Sequence, residues 1–442
     1  MINLFLAVDN VYNFVDNRNL AFYREISMWI SILIHLLNHW NETERNLGDA
    51  VMTKKQQSYY MQTDLIFLFI LFVCVSLLTI YNAQQLEQYE GENFVLKQII
   101  WFTIGVCIVA AIQFLDLEQL HKASVYIYGA SIFILFILLI SPESIARTIN
   151  GAKSWFTLPG LSLQPAEFTK ITTILFMSAV ISKHKSKYEV SSLKSDSFLL
   201  IKLLLVTAAP VFLIMQQPDF GTSMVYLFIA GMMIILSGIN WKIIASLIAI
   251  ISTVSAAVIG FIIKFPVMAQ QLLGIKEYQV NRILTWFDPA QQSSDATYHF
   301  DRAYMALGSG QLFGKGMSNL QVNYPEAHTD FIFAVIGESF GFIGSALVIF
   351  LYFMLLYKLV TLGLSIFKHS SFGAYFCFGF LSLLLIHVFQ NIGMTLGIMP
   401  ITGIPLLLLS YGGSSVLSTM LGMGIIYRVA VEYTIQNDYL FK

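Results

Sequence analysis

The chain has 442 residues and a formal net charge of −1; 57% of its residues are hydrophobic, 14% aromatic and 12% charged, and the mean hydropathy is +0.70. An ordinary soluble domain carries about 25% charge, so this composition excludes one and specifies an integral membrane protein. The 25 basic residues are spread thinly and balanced by 26 acidic ones, which excludes a nucleic-acid-binding surface.

Residues 1–51 differ in kind from the rest. They hold a polar stretch, Asn41-Glu42-Thr43-Glu44-Arg45, and an amphipathic run near Met28-Trp29-Ile30, without the basic, apolar and small-residue layout of a cleavable signal. They read either as an upstream mis-called start, with Met52-Thr53-Lys54-Lys55 the better beginning, or as an interfacial amphipathic helix. In both readings they carry no chemistry.

Residues 52–442 read as one transmembrane domain. Apolar runs near 65–83, 98–114, 123–140, 168–182, 199–216, 220–237, 243–264, 330–357, 372–398 and 404–427 approach the ~20 residues that span a bilayer. The expected fold is therefore an all-α polytopic bundle of about ten transmembrane helices, with a long loop, 265–328, between the seventh and eighth. Cys74, Cys107 and Cys377 lie inside these runs as small apolar residues, not as a disulfide framework or metal site.

Lys54, Lys55, Lys183, Lys185, Lys187, Lys194, Lys358, Lys368 and Arg428 fall on one side by helix alternation. The positive-inside rule makes that side cytoplasmic, with both termini on it and the chain in the cell membrane. The opposite side receives Glu87, Glu90 and Glu92, the loop 141–165, the turn at Gln216-Gln217-Pro218-Asp219, the long loop and the turn at Pro400. The long loop far exceeds the usual ~4–6 residues. Its Trp286, Phe287, Tyr298, Phe300 and Tyr304 predict an ordered segment with short interfacial helices.

Unusual polar residues gather on this outer side. Gly151-Ala152-Lys153-Ser154-Trp155-Phe156 leads into Gln164-Pro165-Ala166-Glu167-Phe168-Thr169-Lys170. Glu167 and Lys170 stand three apart on one helical face, where they can pair with each other or hold a ligand's charge between them. Trp155 suits either an interfacial anchor or a sugar-stacking platform. Asp219, in Gln217-Pro218-Asp219-Phe220-Gly221-Thr222, sits where it can cap a helix or face a site. Arg282 in the long loop has the forked donors that clamp phosphates. Gly308-Ser309-Gly310 and Gly314-Lys315-Gly316 lack the spacing and preceding strand of a phosphate loop and read as tight turns. Thr402-Gly403-Ile404-Pro405 and Ser410-Tyr411-Gly412-Gly413-Ser414-Ser415 imply either a broken last helix or close helix packing around a cavity. Finally, Tyr324-Pro325-Glu326-Ala327-His328-Thr329-Asp330 puts a carboxylate at the mouth of a long apolar run, with Glu338 two turns inside. Ionisable groups in such places mark chemistry, transport or ion pairing.

The segments GAKSW, QPAEFTK, QPDFGT, YQVNR with FDP, MALGSG with GKG, PEAHTDFIFAVIGE, NIGM, and MPITGIP with SYGGSS run in order from about residue 60 to 430. Together they resemble the SEDS family of polytopic cell-wall polymerases, its RodA branch more than its FtsW branch. Thr297-Tyr298 and Arg302 depart from the common pattern before the GSG turn, and the stretch from Gly316 to Pro325 is short. The resemblance implies a peptidoglycan glycosyltransferase that polymerises lipid II into β-1,4-linked glycan for cell elongation and rod shape, beside a class B penicillin-binding protein transpeptidase. It carries the family's essential aspartate onto Asp330 and its functional tryptophan onto Trp155, and sets Glu167, Lys170 and Asp219 around one cavity.

The chemistry agrees with that implication. Joining a sugar hydroxyl to C1 of a lipid-linked sugar needs a base, for which Asp330 is placed best, and cations for the pyrophosphate, for which Lys170 and Arg282 are candidates and Lys153 a weaker one. The residues specify no cofactor; a divalent cation could share the work with Asp219 or Glu167 as oxygen ligands, but no ligand cluster specifies it. The main rival is a lipid II flippase, which would want ionisable groups near the midplane and on both sides.

Overall fold

The computed structural model describes residues 61–148, 152–158, 161–188, 192–273, 280, 284, 294–324 and 326–440. The expectation for residues 1–51 lies outside them. In chain order the helices are α1 Thr63–Ala83, α2 Phe94–Ile112, α3 Leu117–Ile140, α4 Pro165–Lys187, α5 Leu193–Gln216, α6 Phe220–Leu236, α7 Trp241–Lys264, α8 Pro266–Leu273, α9 Ser294–Ser309, α10 Ile332–Ile366, α11 Ser371–Thr395 and α12 Gly413–Leu440. A two-stranded hairpin, β1 Phe156–Leu158 with β2 Leu161–Leu163, precedes α4, and Phe156 pairs with Leu163. Each of the ten expected spans corresponds to a helix. Eight are long and apolar enough to cross a bilayer; α6 is apolar but 17 residues long, and α4 carries the charges of Glu167, Lys170 and its terminal lysines.

Short polar side chains start these helices. Asn93, Ser192, Asp219, Asn240 and Ser370 each accept a first-turn backbone N–H, and Asp116 with Gln119 forms a reciprocal capping box at α3. These caps satisfy donors that a helix leaves open at its N-terminus. Pro165, with no N–H to lose, opens α4.

Helices α11 and α12 form the inside of the bundle, with 67% of their most apolar window buried, against 22% for α2 and α3 and 6% for α7. The exposed apolar residues of the outer helices, such as Phe133, Phe212 and Ile250, present a surface suited to lipid. Lipid supplies no hydrophobic drive between helices, so close backbone approach must. Gly424 of α12 lies so near α2 that a Cβ there would stand 2.7 Å from Ile112 Cδ1 and 3.2 Å from Val109 Cα. The lysine-rich end is tied by side chains: Lys358 to Asp64, Arg428 to Asp116 at 2.6 Å, and Lys185 to the Gly238 carbonyl.

Two boundaries differ from the sequence reading. The apolar run after Asp330 is not one helix: Gly341 has φ 66° and ψ −161°, which breaks α10 into a short buried segment up to Phe340 and a spanning segment from Phe342. The run 404–427 does not begin as helix either; the chain is coil to Gly412 and α12 starts at Gly413. The glycine-rich stretch after α9 proves to be more than a turn, because it docks on the break in α10. Lys315 N–H and Gly316 N–H donate to the Glu338 and Ser339 carbonyls at 2.9 Å, while Phe342 N–H donates to Gln311 O at 2.9 Å. Lys315 Nζ pairs with the fully buried Glu338 at 2.6 Å, and Gln321 N–H donates to the same carboxylate oxygen at 2.9 Å. The backbone groups freed by the break are thus satisfied, as non-helical chain inside a membrane protein requires.

Candidate active site

The site is built on the coil between α11 and α12. Its Leu406–Ser410 portion is buried, so its backbone needs partners. Ser76 Oγ donates to Leu409 O, Gln98 Nε2 to Ser410 O and Tyr352 OH to Leu407 O, while Ser410 Oγ accepts from Leu406 N–H. One face of α11 holds the earlier part. His387 Nδ1 donates to Pro405 O, Gln390 Nε2 to Pro400 O and Asn391 Nδ2 to Ile404 O, each at 2.8 Å.

Asp330 is fastened to the same coil. Asn391 Nδ2 also donates to the Asp330 carbonyl at 2.7 Å, Ser410 Oγ donates to Thr329 O at 2.6 Å, and Tyr411 N–H donates to His328 O at 2.9 Å. The carboxylate faces Gly403, where a Cβ would stand 3.1 Å from Oδ2. Gly403 has φ 72°, a conformation that glycine adopts without strain. Asp330 itself is half-buried, at an opening rather than in the sealed core. Just before it, the His328 ring stacks on Phe94 at 4.3 Å and shares a 3.0 Å hydrogen bond with Tyr89 OH. Burial there pushes the imidazole below its ordinary range, against the opposing pull of Glu326 and Glu92.

The N-termini of α4 and α6 complete the wall. Asp219 caps α6: Oδ1 accepts Thr222 N–H at 3.0 Å, and Oδ2 accepts Thr222 Oγ1 at 2.9 Å and Gln164 Nε2 at 3.2 Å. Gln164 N–H donates to Ser414 Oγ at the start of α12. One turn deeper, Lys170 Nζ pairs with Glu167 Oε1 at 2.8 Å and meets His387 Nε2 at 3.1 Å; both members of the pair are buried. Removing two charges from water this completely is tolerated only when they are paired and hydrogen-bonded. The other carboxylate oxygen, Glu167 Oε2, has no side-chain or backbone partner, and neither do the buried Asn391 Oδ1 and Thr402 Oγ1.

The sequence candidates therefore separate. Asp330, Glu167 and Lys170 are joined through Asn391, His387 and the coil, and Asp219 is tied through Gln164 to Ser414 at the start of α12. Lys170 is spent on Glu167 and His387 instead of lying open to a pyrophosphate, because burial at 2% exposure demands a counter-charge. Asp219 is engaged as a cap, and Glu167 has one oxygen without a side-chain or backbone partner; among the described residues no group of three or more His, Cys, Asp or Glu is placed to hold a metal ion. Trp155 stands half-buried directly before β1, at the base of the hairpin that runs into Gln164. Lys153 donates to the Leu139 and Ser141 carbonyls at the end of α3. Arg282 lies outside the described residues. His387, Gln390 and the partnership of Lys315 with Glu338 were missed by sequence reasoning; polar residues three and four apart in an otherwise apolar helix were the available signal.

The family model described as cell cycle protein, that of FtsW, RodA and SpoVE, matches residues 56–435. The chain is 30% identical over 419 residues to the peptidoglycan glycosyltransferase RodA of Treponema pallidum (strain Nichols), covering 80% of this chain and 94% of that one. It is 29% identical to the peptidoglycan glycosyltransferase MrdB of Escherichia coli (strain K12), covering 80% and 90%. Among solved structures, one reported as the structural coordination of polymerization and crosslinking by a peptidoglycan synthase complex matches with TM-score 0.68 at 26% identity, over 84% of this chain and 98% of that one. The rod shape determining protein RodA of Thermus thermophilus matches with TM-score 0.57 at 27% identity, over 83% and 95%. A polytopic helical bundle, a polar site around one coil and a family match over residues 56–435 agree: the chain belongs to the FtsW, RodA and SpoVE family of cell cycle proteins.

Proposed function

We propose that this peptidoglycan glycosyltransferase polymerises lipid II at the Asp330 end of the bundle, on the outer face of the cell membrane, with both termini in the cytoplasm. Asp330 is the general base. It takes the proton from the GlcNAc 4-hydroxyl of one substrate as that oxygen bonds to C1 of the MurNAc of the other; the C1–O bond breaks and its electron pair leaves with undecaprenyl pyrophosphate. Such base assistance contributes typically ~10²–10⁴-fold. The observation that carries this reading is the close packing of a half-buried carboxylate against a glycine turn on a coil held by three side chains of one helix, since a base must be positioned before its basicity counts.

Trp155 serves the sugar or peptide head of the substrate, and Arg282 the pyrophosphate. Asp219, Glu167 and Lys170 act from behind the site by fixing the ends of α4 and α6. The half-buried opening suits an acceptor sugar entering from water, while the apolar outer helices accommodate the lipid anchors. A class B penicillin-binding protein is the proposed partner, in keeping with the synthase complex whose structure this chain resembles.

The test is direct. Full-length protein in proteoliposomes, given labelled lipid II with and without the cognate transpeptidase, should yield a ladder of muramidase-sensitive glycan. Translocation of lipid II without any ladder would replace this reading by the flippase.

A further inference from the structure

His387 lies outside the short motifs on which the sequence resemblance was read, yet it holds two partners at the site. It is 1% exposed and touches two elements at once. Pro405 O can only accept, so Nδ1 carries a proton and donates to it at 2.8 Å. On the other edge of the ring Nε2 stands 3.1 Å from Lys170 Nζ. An ammonium can only donate, so this nitrogen is the acceptor and the imidazole is the neutral Nδ1–H tautomer. The buried Lys170–Glu167 pair of α4 is thereby connected to the coil whose next residues toward the N-terminus, Gly403 and Thr402, lie against Asp330 and the first turn of α6.

We infer that His387 is a positioning residue for glycosyl transfer: it bridges the Lys170–Glu167 pair to the Pro405 carbonyl and so fixes the Gly403 turn against the Asp330 carboxylate. This rests on Asp330 being the reactive base. The bridge needs both ring nitrogens. An asparagine amide reaches the position of Nδ1 and a glutamine amide that of Nε2, so each substitution keeps one contact and forfeits the other. Because the bridge shapes the base and not the substrate pocket, its loss slows turnover and leaves substrate affinity alone.

Full-length wild-type protein, H387N, H387Q, D330N and T207V are reconstituted in proteoliposomes with labelled lipid II and the cognate transpeptidase. Thr207 is buried and donates within α5 to Leu203 O, so T207V measures the effect of losing an ordinary buried hydrogen bond away from the site. The expected result is a fall in kcat of about tenfold in both H387N and H387Q, with KM within about twofold of wild type and T207V at the wild-type rate. The inference is overturned if either His387 variant keeps the wild-type kcat, if KM rises as kcat falls, or if T207V loses as much as they do. D330N separates the two levels: an active D330N removes Asp330 as the base, whereas an inactive D330N beside a fully active H387N or H387Q removes only the bridge.

Discussion

At the residue scale, the site depends on small distances that the sequence did not announce. Gly403 shows this best. Its φ of 72° is strained for any other residue, and a methyl group would sit 3.1 Å from Asp330 Oδ2, so Gly403→Ala should lower polymerisation at least tenfold while the protein remains folded. A gel of glycan products beside a size-exclusion profile checks both halves. His328 gives a pH signature. Its folded-state affinity for a proton is depressed by burial, so the unfolded chain protonates first and folded stability declines as pH drops below about 6.5, the ordinary imidazole value. Thermal unfolding followed from pH 7.5 to 5.5 should show that decline in wild type and a shallower one in His328→Gln. The spacing of Glu167 and Lys170 was legible because helical geometry fixes it. Their burial and their third partner, His387, were not legible, since 217 residues separate Lys170 from His387.

At the element scale, hydrophobic length predicted each spanning helix and misjudged where two of them begin. Phe331 to Tyr357 reads as one apolar helix because its composition is uniform; the break is set by Gly341 and by the docking of the Gly308–Gly316 strap, which only tertiary structure supplies. Ile404 to Leu409 is equally apolar, yet it is coil, with Gly403 before it, Pro405 within it and Leu408 at φ 73°, and with Ser76 and Tyr352 donating to the Leu409 and Leu407 carbonyls. Lys315 tests the strap. Removing one partner of a buried pair costs about 3–5 kcal/mol, and Lys315→Met would leave Glu338 buried with only the Gln321 N–H hydrogen bond. The variant should therefore melt well below wild type, and Lys315→Met with Glu338→Gln should recover most of that loss. Equal melting temperatures for wild type and the single variant would show that the pair contributes nothing to holding the break.

For the whole molecule, the sequence carried the bundle, its helix count and the separation of a lysine-rich end from a polar site end, because these follow from composition and length. It could not carry how the ends of α4, α6, α10, α11 and α12 meet around one coil. Orientation is checked by single cysteines at the exposed Ser144 and Ser186 in a background without Cys74, Cys107 and Cys377: an impermeant maleimide on intact cells should label the first and spare the second, and the reverse would place Asp330 on the cytoplasmic side. The role of the bundle rests finally on Asp330. Purified Asp330→Asn, inserted and folded like wild type and supplied with labelled lipid II and the cognate transpeptidase, should make at least about 10²-fold less glycan; polymer at near wild-type yield would contradict the assignment of this carboxylate as the base.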